Sequence, residues 1–128
     1  DFADLEGFKQ IVEDLKGAGV EVAVASFGAF PTIEAYLDRV FPEHYFTREN
    51  ISTPSVVGSI DGYHVEGGKN KQLALLCEKY GAEPGQVLFF DDDASNVSKA
   101  VEAGYVHSFH TPDAFTRPVW MSVLEKFE

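Results

Sequence analysis

Apolar side chains recur along the chain with two periods, and the alternation between them sets the expected elements. Leu5, Phe8, Ile11, Val12 and Leu15 share a helical face, and Gly17 and Gly19 end the run, which predicts a helix over about 4–17. Val20–Ser26 is almost wholly apolar and rich in Val, the pattern of a strand covered on both faces. Pro31 suits the first turn of a second helix, with Ile33, Tyr36, Leu37, Val40 and Phe41 on its apolar side. From Pro42 to Gly68 the pattern is weaker. Tyr45–Thr47 predicts a short strand. Asp61-Gly62, between β-prone Val56, Val57, Ile60, Tyr63 and Val65, predicts a hairpin, so 50–68 reads as a flap or hairpin insertion whose Tyr63 and His64 either form an exposed turn, the plainer reading, or reach over a site. Helical spacing resumes after Lys69 with Leu73, Leu76, Cys77 and Tyr80 and stops at Gly81. Val87–Phe90 is a buried strand that runs straight into Asp91-Asp92-Asp93. Val97, Ala100 and Val101 mark a short helix ended by Gly104, Tyr105–Phe109 a last strand, and Thr111–Phe127 a last helix that breaks or restarts at Pro118.

Alternating strands and helices with apolar strands predict an α/β fold, a three-layer α/β/α sandwich around a mainly parallel, Rossmann-like sheet. A chain of 128 residues suits one domain. The composition, 45% apolar and 24% charged, excludes a disordered or collagenous chain. No apolar run approaches the roughly 20 residues of a bilayer span, and no signal-peptide pattern is visible. The net charge is −11, from 10 Lys and Arg against 21 Asp and Glu. Such a charge repels nucleic acid and anionic membranes, so neither is expected as a partner. A small anionic substrate stays admissible, because a local cation reverses the field inside a cleft. Cys77 is the only cysteine, which forbids an internal disulfide and is compatible with a cytoplasmic setting.

Ligands of open α/β sheets sit at the carboxyl ends of the strands. Two predicted strands end in candidate chemistry: one in Ser26-Phe27-Gly28, the other in Asp91-Asp92-Asp93. Consecutive carboxylates repel unless a cation compensates, and Mg²⁺ does so with oxygen ligands while keeping waters that a phosphate can replace. The plain alternative is a solvated turn in which Asp93 or Ser95 caps the next helix. Ser26 can donate to a phosphate oxygen or simply end its strand. Lys69, which opens a helix, can neutralise a phosphate or stay solvated, and Lys71 competes for the same part.

The order apolar strand–Ser26, Gly67-Gly68-Lys69, then Val87-Leu88-Phe89-Phe90-Asp91-Asp92 with Asn96 behind it resembles the haloacid dehalogenase superfamily of phosphotransferases. It is most similar to the magnesium-dependent phosphatase branch with small or absent caps. The resemblance implies Mg²⁺ held by Asp91 and Asp92, a catalytic part for Lys69 and Asp92, and substrate contacts from Ser26, Phe27 and Gly28. It also implies an aspartate nucleophile that forms an aspartyl-phosphate. That nucleophile belongs to an Asp-x-Asp motif ending a central strand. Asp1-Phe2-Ala3-Asp4 has the wrong spacing and no strand before it. The nucleophile strand is therefore expected from a segment outside these residues or from a partner, filling a gap between the strands that end at Ser26 and Asp91. The expected substrate is a phosphorylated small molecule or a phosphoprotein. The alternative is an inactive domain on the same fold, used for binding or assembly. A phospho-receiver domain fits less well, because its acidic pair comes first in the chain and here it comes last.

Overall fold

The computed structural model describes residues 5–41, 45–57, 67–112 and 115–126. Five helices and four short strands alternate along it: α1 (Leu5–Gly17), β1 (Val24–Ala25), α2 (Phe30–Val40), β2 (Ile51–Ser52), α3 (Asn70–Tyr80), β3 (Phe89–Asp91), α4 (Ala94–Glu102), β4 (Ser108–His110) and α5 (Arg117–Glu125). The class is α/β, with both strand pairs parallel. The pairs form two separate two-stranded sheets, β1–β2 and β3–β4. One continuous three-layer sheet is thus not assembled among the described residues.

Each sheet has its own core. Val12, Phe30, Leu37, Phe41, Phe46 and Ile51 bury α1 and α2 against β2, with Val24 of β1 packed at their edge. Leu73, Phe89, Ala100 and Tyr105 bury α3 and α4 against β3. Phe90 faces away from this second cluster. Its ring stacks on Phe109 at 5.4 Å and meets Trp120 of α5 at 6.2 Å, so helices cover both faces of the β3–β4 pair. Phe8 of α1 meets Phe115 at 6.0 Å and ties the two halves together.

Backbone geometry leaves one edge of each sheet open. The Val24 and Ser26 amides donate to Asn50 O and Ser52 O, so alternation turns the Ala25 backbone groups away from β2. The Phe89 amide donates to His107 O and the Thr111 amide to Asp91 O, which likewise turns the Phe90 backbone groups away from β4. No described strand pairs with either of these edges.

Several boundaries differ from expectation, each for a local reason. Tyr45–Thr47 is not a strand. The Asn50 side chain satisfies this segment instead, accepting from the Thr47 amide at 2.8 Å and donating to Tyr45 O at 2.9 Å. The strand that pairs with β1 is Ile51–Ser52, just after that turn, and both residues are buried. Because the ladder starts at Asn50, only Val24–Ala25 of the predicted Val20–Ser26 strand is paired, and Val20 is exposed. Pro118 does not interrupt the last helix. It sits in the first turn of α5, behind Thr116, whose side chain accepts from the Val119 amide. Of the 50–68 insertion, residues 50–57 and 67–68 are described: β2, a 3-10 turn at Pro54–Val57 in place of the β structure expected of Val56 and Val57, and the Gly67-Gly68 turn; the rest of the predicted hairpin, with Tyr63 and His64, lies outside the described residues. No described helix is long and apolar enough to cross a membrane.

Candidate active site

β3 runs from buried Phe89 to Asp91 and stops where the chain turns into α4. The three aspartates that follow one another there do three different things. Asp91 is buried, its side chain 1% exposed, and its Oδ2 lies 2.7 Å from Lys69 Nζ. Its Oδ1 accepts the Asp93 amide at 2.8 Å. Asn96, buried on the first turn of α4, reaches Asp91 Oδ2 through Nδ2 at 3.4 Å. Asp92 is exposed, and its backbone oxygen lies 3.0 Å from His110 Nε2 on β4. Asp93 is the N-cap of α4 and accepts the Ser95 amide at 2.8 Å. The capping alternative thus holds for Asp93 alone and leaves Asp91 and Asp92 for other work.

Burial alone would raise the Asp91 carboxyl. The hydrogen bond from Lys69, the Asp93 amide and the Lys69 charge outweigh it and hold the group below the usual carboxylate range. Asp91 therefore stays ionised in mildly acidic solution.

Lys69 arrives from the opposite side. Gly67 and Gly68, both with positive φ, turn the chain into α3, and Lys69 is the N-cap residue of that helix. Gly68 packs against α4: a Cβ there would meet Asn96 Oδ1 at 3.0 Å. This close approach lets the lysine reach Asp91 across the α3–α4 contact. Lys69 Nζ also sits 5.4 Å from the Phe27 ring centroid. Lys71, two residues on, is exposed and points to no described acid. Geometry thus separates the two lysines that sequence left in competition.

At the end of β1, Ser26 Oγ accepts the Gly28 amide at 3.0 Å. That bond uses a lone pair and leaves the hydroxyl proton free to donate. A side chain on Gly28 would crowd Ile33 Cδ1 at 3.2 Å and Ser26 Oγ at 3.3 Å, so this tight turn suits glycine. Lys69 thus meets both Asp91 at the end of β3 and Phe27 just past the end of β1, next to Ser26 in the chain.

One residue of this region escaped the sequence reading. Gln72 is fully buried and donates through Nε2 to both Ser26 O and Ser52 O at 2.9 Å. The available signal was a polar side chain beside buried Leu73 on the inward face of an amphipathic helix.

Among the described residues no group of three or more His, Cys, Asp or Glu side chains converges to hold a metal ion. Asp91 and Asp92 offer two adjacent carboxylates. Such hard oxygen donors fit Mg²⁺, which commonly takes only one or two protein carboxylates and completes its shell with water and phosphate oxygens.

Comparison with known proteins adds one finding. A family model described as Acid Phosphatase matches residues 2–128, nearly the whole chain. No curated protein and no solved structure shows a significant match.

Proposed function

The chain belongs to the acid phosphatase family, and from that premise we propose that it is a phosphoric monoester hydrolase of the haloacid dehalogenase type, dependent on Mg²⁺. The observation that carries this reading is the buried Lys69–Asp91 pair at 2.7 Å, with the Lys69 ammonium also 5.4 Å from the ring of Phe27. A cation held this way is fixed in place rather than spread in solvent, and preorganised charge of that kind stabilises a phosphoryl group in its transition state.

In this reading Ser26 donates its hydroxyl proton to a non-bridging phosphate oxygen, and Phe27 and Gly28 shape the wall beside it. Lys69 neutralises the phosphoryl charge, and Asp91 fixes the direction of its ammonium. Asp92 and Asp91 would hold the Mg²⁺, which when bound offsets negative charge on the phosphate. The nucleophile is an aspartate on a strand from outside the 128 residues, pairing with the open edges at Ala25 and Phe90. Its carboxylate attacks phosphorus and the ester P–O bond breaks; the second aspartate of the Asp-x-Asp motif gives the leaving oxygen a proton to form the alcohol, then takes one from the water that cleaves the acyl phosphate to return the nucleophile and inorganic phosphate.

The test is steady-state hydrolysis of 4-nitrophenyl phosphate by the full-length protein across a Mg²⁺ titration. Asp92 is exposed, so Asp92→Asn should keep its fold, by circular dichroism and melting temperature, while Mg²⁺-dependent turnover disappears. A folded Asp92→Asn variant with unchanged turnover would refute the assignment.

A further inference from the structure

The same helix face that presents Lys69 also carries Gln72, one turn further on. Gln72 has no exposed surface, and its two Nε2 protons go to carbonyls on two different strands, Ser26 O and Ser52 O, each at 2.9 Å. Its Oε1 is buried with no hydrogen-bond partner, as is Ser52 Oγ beside it. An apolar residue would fill the same space without leaving an acceptor unmet, so the donor side of the carboxamide is what this position uses. Ser26 O and Ser52 O lie where β1 and β2 end. The Ser26 amide donates to Ser52 O, the same oxygen Gln72 reaches, so one side chain closes a three-way junction of β1, β2 and α3.

We propose that Gln72 is a positioning residue of the phosphate side of the site: by donating to Ser26 O and Ser52 O it fixes the Ser26–Gly28 turn at a set distance from Lys69. This rests on the phosphatase reading for its functional consequence and on geometry alone for its structural one. Gln72 touches no substrate in this scheme and acts only through Ser26.

The experiment uses the full-length protein and Gln72→Met, which keeps length and volume and removes both donors. Amide hydrogen exchange reads the structural half. Protection of Ser26 and Gly28 should fall about tenfold more than that of Val24, whose amide is bonded further up the same strand. A uniform change at all three amides, or none, would overturn the proposal. The functional half is a double-mutant cycle with Ser26→Ala, read as the inhibition constant for orthophosphate. Gln72→Met should weaken phosphate binding about tenfold in the wild-type background and less than about twofold once Ser26 Oγ is gone. Equal weakening in both backgrounds would mean that Gln72 does not act through Ser26, and would overturn the proposal. If wild-type protein fails to bind orthophosphate, the phosphatase reading fails, and the exchange data still decide whether Gln72 holds the turn.

Discussion

Replacing Lys69 by methionine removes the charge facing Asp91 and little of the packing. The Asp91 side chain is 1% exposed and that of Lys69 14%, so the remaining carboxylate has almost no access to water. Removing one partner of a buried ion pair costs about 3–5 kcal/mol. Asp91 keeps the Asp93 amide at 2.8 Å and a longer contact to Asn96 at 3.4 Å, which places the loss near the lower end, about 3 kcal/mol. For a domain of this size that is a fall of about 10 °C in melting temperature. The pH dependence distinguishes this cause from lost packing. In the wild type Asp91 is depressed, so its contribution is present above the usual carboxylate range and is lost as pH falls through its lower folded value. Without Lys69 burial is opposed only by the hydrogen bonds from the Asp93 amide and Asp92, so the folded carboxyl titrates higher than it does in the wild type. Acid then protonates the variant's Asp91 and relieves the penalty, so the stability gap should be widest near neutrality and close on acidification. Urea denaturation of Lys69→Met beside Lys71→Met, at several pH values, measures it. Lys71 is exposed, so its variant should stay within about 0.5 kcal/mol of wild type. A Lys69→Met variant as stable as Lys71→Met, or a gap that does not change with pH, would refute the reasoning.

Three further outcomes are expected. Phe46 is 1% exposed at the centre of the β1–β2 core, so Phe46→Ala should cost about 3–5 kcal/mol in urea unfolding, whereas Met121→Ala, at a side chain 53% exposed, should cost almost nothing. Gly68 has φ +65° and a Cβ there would lie 3.0 Å from Asn96 Oδ1, so Gly68→Ala should lower stability by about 1–2 kcal/mol in thermal melts; an unchanged melting temperature would contradict the tight α3–α4 contact. Wild-type stability should decline as pH drops below the usual carboxylate range, and Asp91→Asn should flatten that acid limb, which is read from urea midpoints across the range.

Much of the site was legible because its signals are local. An apolar run ending in Asp91-Asp92 and a Gly-Gly-Lys69 helix start need no tertiary information to be seen, and the structure brings Lys69 and Asp91 into contact. Asp93 was legible as a cap because Asp directly before a helical run accepts its first amides. What depended on pairing was not legible. Tyr45 and Phe46 have strand propensity, yet Asn50 takes their backbone into a turn and passes the pairing to Ile51–Ser52. That Lys69 rather than Lys71 meets Asp91 required knowing which side of α3 meets α4. Gln72 was missed because a single polar residue on an apolar helix face has no meaning until the carbonyls it reaches are in place. The Ala25 and Phe90 backbone groups pair with no strand among the described residues.

The central claim is that Lys69, aimed by Asp91, acts on a phosphoryl group. The most direct test is the rate of 4-nitrophenyl phosphate hydrolysis by full-length Lys69→Met and Lys71→Met, measured with Mg²⁺ at a temperature where both are folded. The account predicts that Lys69→Met loses a hundredfold or more, about 3 kcal/mol of transition-state stabilisation, while Lys71→Met keeps wild-type turnover. Equal activity in the two variants would contradict it.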